Sequence, residues 1–326
     1  MTPLLKKAAF AALSSPPIYG HLQKRALKSD PLTILCYHTL GPDADDMDAW
    51  TVLRVSDFQR QVAALRRTYD IVSLDDALDP ERRGERPQAV LTFDDGDTGL
   101  FTHLLPIVEA DALPVLIYVA TRQIETGQPF WFDRVMNALQ TSGARINLRD
   151  TGLGEWAVPD TTGADKWEVI SGILEALKTV APDERDAVAD RIVAQAPDRG
   201  AAPTPLVPVS RDQLAELAAN PNVGIGAHSH CHSLLDQIPL DAARESVAMS
   251  KALLEGWTGQ NIRHFAYPNG NYTPELGAMI ADLGFESATV LDSALASRNG
   301  DPFALSRLAI GRYDSLQRFR LRLVGL

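Results

Sequence analysis

Two cysteines in 326 residues are too few for a disulfide framework. Cys36 and Cys231 lie in apolar or motif-like stretches, so free, buried thiols in a reducing compartment are expected. No run approaches the ~20 apolar residues of a spanning helix. The 31 Lys and Arg against 42 Asp and Glu give a net charge of -11 with no basic stripe. That argues against nucleic acid as a partner, because such binding rests on neutralising phosphates. There is no Gly-x-Ser-x-Gly elbow, no glycine-rich phosphate loop, no internal repeat and no low-complexity segment. What remains is an ordinary globular composition, 45% hydrophobic and 22% charged, able to build a sizeable core.

The N-terminus places Lys6-Lys7 before the apolar run Ala8 to Leu13, which imitates an export signal. Ser14, Ser15, Pro16 and Pro17 cut the run short, so a short helix is expected there and export less so. Residues 1–30 form an N-terminal extension in this reading, and residues 31–326 form the main domain.

Along that domain, short apolar runs alternate with helical patterns. Residues 32–38, 69–74, 89–93, 114–120, 223–227, 264–267 and 287–290 read as strands, many of them apolar throughout as buried parallel strands are. Helical patterns over 98–110, 240–255 and 274–283 stand between them, which implies a parallel sheet with helical crossovers. Residues 140–207 break the rhythm. They read as a hairpin (145–148 with 155–158), two amphipathic helices (164–179 and 182–195) and a Pro/Ala stretch: an insertion that is either a lid over the site or a structural elaboration. His38, Asp94, His228 and Pro268 all fall at the C-terminal ends of expected strands, and in a parallel barrel those ends share the face where active sites gather.

Two strings carry chemistry. Thr92-Phe93-Asp94-Asp95-Gly96 ends a strand in adjacent carboxylates that point in different directions, one suited to a metal and the other to substrate. His228-Ser229-His230-Cys231-His232 holds three of the chain's seven histidines in five residues. His228 and His232 are four apart, so one turn or a tight loop puts both imidazoles on one side. With a carboxylate they make a three-ligand site with open positions, fit for Zn2+ by default and also for Co2+, Mn2+ or Fe2+. His230 is expected to point elsewhere, and Cys231 ranks below the carboxylate as a ligand.

Together these strings resemble the polysaccharide deacetylases of carbohydrate esterase family 4, the NodB-homology family, over roughly residues 32–315. The resemblance implies an α/β fold, a distorted (β/α)7 NodB-type barrel, here with an inserted α-rich segment. It implies Asp94 as general base, Asp95, His228 and His232 as metal ligands, and Ser229 as a brace for the metal loop. Phe265-Ala266-Tyr267-Pro268-Asn269-Gly270 resembles a third motif that walls the substrate groove, so Tyr267, Pro268, Asn269 and Gly270 are expected at substrate, with a backbone N–H near Tyr267 for the oxyanion. Many members carry a supporting arginine where this chain has Ala266; Arg263 and Arg307 are the substitutes to examine. The usual C-terminal acid histidine is absent as well. Cys36-Tyr37-His38 is similar to members whose acid histidine sits on an early strand, so His38 is expected as general acid, with His264 behind it. Trp131 and Phe132 are expected as an aromatic wall or as helix-start packing.

The activity implied is removal of N-acetyl groups from amino-sugar units of a bacterial polysaccharide or its precursor. Formyl-sugar or cyclic-amide hydrolysis and an inactive glycan-binding barrel are the alternatives. The implied partner is an N-acetylated glycan, with oligomeric state left open. Location is expected in the cytoplasm or peripheral to the inner membrane, where Phe319 to Leu323 offers a contact unless it is a plain surface helix.

Overall fold

The computed structural model describes residues 13, 15–44, 47–140, 143–197 and 204–326. The expected helix over residues 8–13 therefore lies outside the described residues except at its last position. Twelve strands follow in chain order: β1 Thr33–Tyr37, β2 Thr39–Gly41, β3 Val52–Arg54, β4 Asp70–Ile71, β5 Gln88–Phe93, β6 Val115–Val119, β7 Ala144–Leu148, β8 Gly154–Val158, β9 Val223–Ala227, β10 His264–Ala266, β11 Ser287–Thr289 and β12 Leu308–Ala309. Seven of them form one parallel path, β11-β10-β9-β6-β5-β1-β12, with β4 added on β5.

The path curls into a distorted barrel. Leu305 pairs in parallel with Thr289 on β11, and β12, a few residues on, pairs with β1 through Leu308 and Ala309. The segment 305–309 thus spans the last gap. The strands expected from sequence match these within a residue or two, except that Tyr69 to Leu74 pairs over Asp70–Ile71 alone. It lies on the outer path, where little burial fixes a longer ladder.

Alternate residues along each strand face opposite sides. Leu35, Tyr37, Leu91, Phe93, Ile117, Val119 and Ala227 join the large core beneath the surrounding helices. Ile34, Val90, Leu116, Tyr118, Ala266 and Leu305 join a smaller inner cluster. Continuing the inner parity by two residues leads from Ile34 to Cys36 and His38, from Val90 to Thr92 and Asp94, and from Leu305 to Arg307. The chemistry therefore sits at the open end of the barrel's own filling.

The insertion is built as expected. Strands β7 and β8 pair antiparallel, and the helices Ala164–Leu177 and Pro182–Gln195 follow. They share a core with the helix Trp131–Gln140 and with Met47, Ala49 and Val52. In the N-terminal region, Tyr19 of the helix Pro16–Ala26 is buried and lies 4.2 Å under the Arg320 guanidinium.

No helix among the described residues is long and apolar enough to cross a membrane. Of the two readings of the C-terminal run, the helix Leu316–Arg322 fits the surface helix: Phe319, Leu321 and Leu323 are buried against the core.

Gly226 on β9 shows how tightly the scaffold positions the site. A Cβ there would lie 2.5 Å from the Tyr118 ring and 3.0 Å from the His264 carbonyl oxygen. Gly226→Ala should cost about 1–3 kcal/mol through overpacking, read as a lower denaturant midpoint. An unchanged midpoint would show that β9 has slack the structure does not display.

Candidate active site

Asp94 follows β5 on the inner parity. Its carboxylate is 3% exposed and is gripped by Arg307, whose Nη1–H donates to Oδ1 at 2.7 Å and whose Nη2–H donates to Oδ2 at 2.8 Å. Nη1 also donates to Thr92 Oγ1 at 3.1 Å, and Nε donates to the Val290 carbonyl at 3.3 Å. The guanidinium lies 5.4 Å from the Tyr118 ring centroid. Burial pushes the Asp94 carboxyl up, but the charge and hydrogen bonds of Arg307 outweigh it and hold the group below the usual carboxylate range. Arg307 thus occupies the role that Ala266 leaves vacant, whereas Arg263 pairs with Asp75 and does not reach the site.

Cys36 adds a weaker contact, its thiol 3.4 Å from Asp94 Oδ2. Burial raises that thiol well above its usual pKa, so it remains protonated and donates. Cys36 and Cys231 are both free.

Asp95 breaks the strand parity by adopting φ 77°, a left-handed conformation that turns its carboxylate to the same pole as Asp94. Its Oδ1 lies 3.5 Å from His228 Nε2 and 3.3 Å from His232 Nε2, and it is buried without a hydrogen-bond donor. His228 Nδ1–H donates to the Ala266 carbonyl at 2.7 Å, which leaves the Nε2 lone pair aimed at Asp95. The turn from His228 to His232 is stapled by the His232 N–H, which donates to Ser229 Oγ at 3.0 Å. Ser229 and His232 are themselves left-handed, at φ 63° and 55°. One carboxylate oxygen and two imidazole nitrogens, all within 4.8 Å of one another, form a donor set suited to a divalent metal, and the orphaned Asp95 oxygen is what such an ion would satisfy.

His38 also reaches this pole. Its ring stands edge-on to Trp50 with centroids 5.6 Å apart, and a ring nitrogen lies within 4.8 Å of an Asp94 oxygen. Its Nδ1 is buried without a partner. His264, the second choice for the acid, is at the far end of the barrel, bound to Ser287 and Asp75, because it begins β10 instead of ending it. His230 turns away to Thr121 Oγ1 at 2.8 Å, and Cys231 faces Ser233 and Ser246.

The third motif divides. Asn269 and Gly270 line the cavity beside Asp94 and Asp95. Tyr267 does not: it is wholly buried and its hydroxyl donates to the Phe303 carbonyl. Pro268 is buried beside it. The Tyr267 N–H donates to the Thr289 carbonyl at 3.2 Å, so it is not free for an oxyanion. Both corrections have one cause, which is that Tyr267 still obeys the strand parity and faces the helices. Trp131 and Phe132 line the cavity as expected.

Three contributions were not singled out from the sequence. Trp50 and Trp167 line the same cavity; their signal was tryptophan scarcity, five in the chain. Asp97 accepts from Thr39 Oγ1, Gly99 N and Val207 N, tying the Asp94 loop to the end of the insertion. Burial pushes its carboxyl up to about 6.

A curled parallel barrel with this carboxylate–histidine pole is the class of structure that the geometry defines. The family model described as polysaccharide deacetylase matches residues 188–288, which hold His228, His232 and the third motif but not Asp94 and Asp95. No curated protein matches the sequence. Among solved structures, the deacetylase PplD of Streptococcus pyogenes is similar at TM-score 0.60 and 15% identity, over 90% of this chain and 98% of that one. IcaB from Ammonifex degensii is similar at 0.57 and 18%, over 90% and 97%. A de-N-acetylase from Aggregatibacter actinomycetemcomitans is similar at 0.57 and 13%, over 89% and 99%. The family model thus matches about a third of the chain, and the fold is the one these solved structures share.

The Asp94–Arg307 pair generates a stability prediction. Arg307→Leu leaves a buried carboxylate unpaired and should cost about 3–5 kcal/mol. Removing both charges, as Asp94→Leu with Arg307→Leu, should recover much of that loss, as a double-mutant cycle of denaturant midpoints would show. Strict additivity of the two single costs would refute the coupling.

Proposed function

We propose that the chain is a metal-dependent N-deacetylase that hydrolyses N-acetyl groups on amino-sugar units of a bacterial polysaccharide or its precursor, with residues 31–326 as the catalytic unit. The observation that carries this reading is the orphaned Asp95 oxygen facing two imidazole nitrogens beside an arginine-held carboxylate. The family match and the likeness to solved deacetylases support it.

Asp95, His228 and His232 would hold the ion, most simply Zn2+, with Co2+, Mn2+ or Fe2+ as other fits. When bound, such an ion polarises an amide carbonyl and acidifies water at the same centre. Asp94 takes the proton from the attacking water through a free lone pair, since Arg307 and Cys36 do not exhaust its two oxygens. Arg307 keeps Asp94 ionised and fixes its direction, so no reorganisation accompanies the attack. His38 then hands a proton to the departing sugar amine. The C–N bond breaks, leaving acetate and a free amino sugar. The arginine and acid histidine absent from their usual sequence positions are answered in space by Arg307 and His38, which favours an active enzyme over an inactive barrel.

Asp94→Asn should lose acetate release by a factor on the order of 10²–10⁴, the usual scale for a lost general base, while metal analysis shows the ion retained. His232→Ala should lose both the ion and the activity. His38→Ala should retain the ion but drop in rate by a similar ~10²–10⁴; an undiminished rate would remove His38 from the mechanism. Acetate in the product separates this reading from formyl hydrolysis, which would give formate.

A further inference from the structure

The cavity at the pole is walled by several elements and open to solvent between them. Thr51 and Trp50 come from the segment after β2, Trp131 and Phe132 from the helix Trp131–Gln140, and Leu291 follows β11. The remaining wall is the insertion, which supplies Trp167, Ser171, Leu174, Glu175, Lys178 and Arg185. Two bonds tie that wall across to barrel loops. Lys178 Nζ donates to Asn269 Oδ1 at 2.7 Å, and Arg185 Nη2 donates to Gln237 Oε1 at 3.2 Å. Lys178 also pairs with Glu175, and Arg185 donates from Nε to the Leu177 carbonyl and from Nη2 to the Lys178 and Val180 carbonyls. Both cations therefore serve as fasteners of the wall.

An internal unit of a long glycan needs a trough open at two ends. Here the Lys178–Asn269 bond joins the insertion to the loop after β10, linking two residues of the cavity lining. The cavity holds about 240 Å³, below the ~300–1,000 Å³ common for pockets that take drug-sized ligands. Three of the chain's five tryptophans line it, so its recognition surface is flat aromatic area of the kind that stacks on the apolar faces of a sugar ring.

Resting on the deacetylase reading, we propose that this pocket takes one N-acetylated sugar end-on, a chain terminus or a single-unit precursor, and that the insertion, through Trp167 and the Lys178 fastener, sets this preference. Internal units of a polymer are excluded.

The test uses the metal-loaded full chain with N-acetylglucosamine and its β-1,4 oligomers of two to five units as probes. Quenching of tryptophan fluorescence reads binding, since Trp50, Trp131 and Trp167 line the pocket. Affinity should change less than about threefold from one unit to five, and mass spectrometry of any product should place one free amine at a chain end. Affinity that climbs with each added unit, free amines at internal positions, or no binding by any probe would each overturn the inference. Flat binding without acetate release would instead count against the deacetylase reading and leave the end-on pocket standing. Trp167→Ala should weaken binding roughly tenfold, in line with a lost aromatic contact. Trp167→Phe should restore most of that, which a merely structural loss would not allow. Lys178→Ala should open the pocket and admit internal units; oligomers still deacetylated only at the terminus by that variant would show that the fastener is not the determinant.

Discussion

Arg307 and Asp94 tie the chemistry of this protein to the closure of its barrel. Asp94 ends β5, and Arg307 lies on the segment that bridges β11 to β1. A carboxylate buried this deeply is tolerable only with a matched cation, and the guanidinium is tolerable only because Asp94, Thr92 and Val290 take its protons. Neither group can be placed until the last strand has closed. The Asp94 carboxylate is thus oriented by long-range closure, between residues more than two hundred positions apart, and a chain that fails to close its barrel leaves it without its cation.

Strain gathers around this pair. Among the described residues, seven that are not glycine have positive φ, and four of them are Asp95, Ser229, His232 and Asn269. Each is a proposed ligand, a brace or a cavity residue. A strand delivers side chains to fixed alternate faces, so bringing Asp95 to the same pole as Asp94 requires the chain to leave the strand at once. The left-handed turn does this, at a cost on the order of 1–3 kcal/mol for each such residue. The closed barrel beneath is what holds these conformations in place.

Much of this was legible in the sequence because it obeys a period. The strand ends, the β5 carboxylates, the paired histidines and the insertion's hairpin and helices follow from alternation and spacing; which carboxylate joins His228 and His232 rests on the family resemblance, and the structure brings Asp95 to them. What was not legible depends on parity carried across gaps. Arg307 shares the inward parity of Leu305, but nothing local says that this segment crosses to face Asp94. Tyr267 sits in a motif associated with substrate, yet the same parity sends it into the core. His264 and His38 are both histidines at strand boundaries, and which end of the strand each occupies decides between a structural hydrogen bond with Asp75 and a place at the pole. Trp50 and Trp167 belong to no periodic pattern of the barrel, so only the folded chain shows that they share one cavity.

The insertion follows from the same division of labour. Its helices bury their apolar faces in a core separate from the one around the barrel, shared with the helix Trp131–Gln140 and the Met47 to Val52 segment. That second core touches the pole through Phe132, whose ring centroid lies 5.2 Å from that of His232, while neither Asp94 nor Arg307 belongs to it. The Asp97 carboxylate limits the freedom at one point, binding Val207 at the insertion's end and Gly99 and Thr39 on the barrel side. A wall held largely by its own core can change its shape while the carboxylate–histidine pole stays fixed on the barrel.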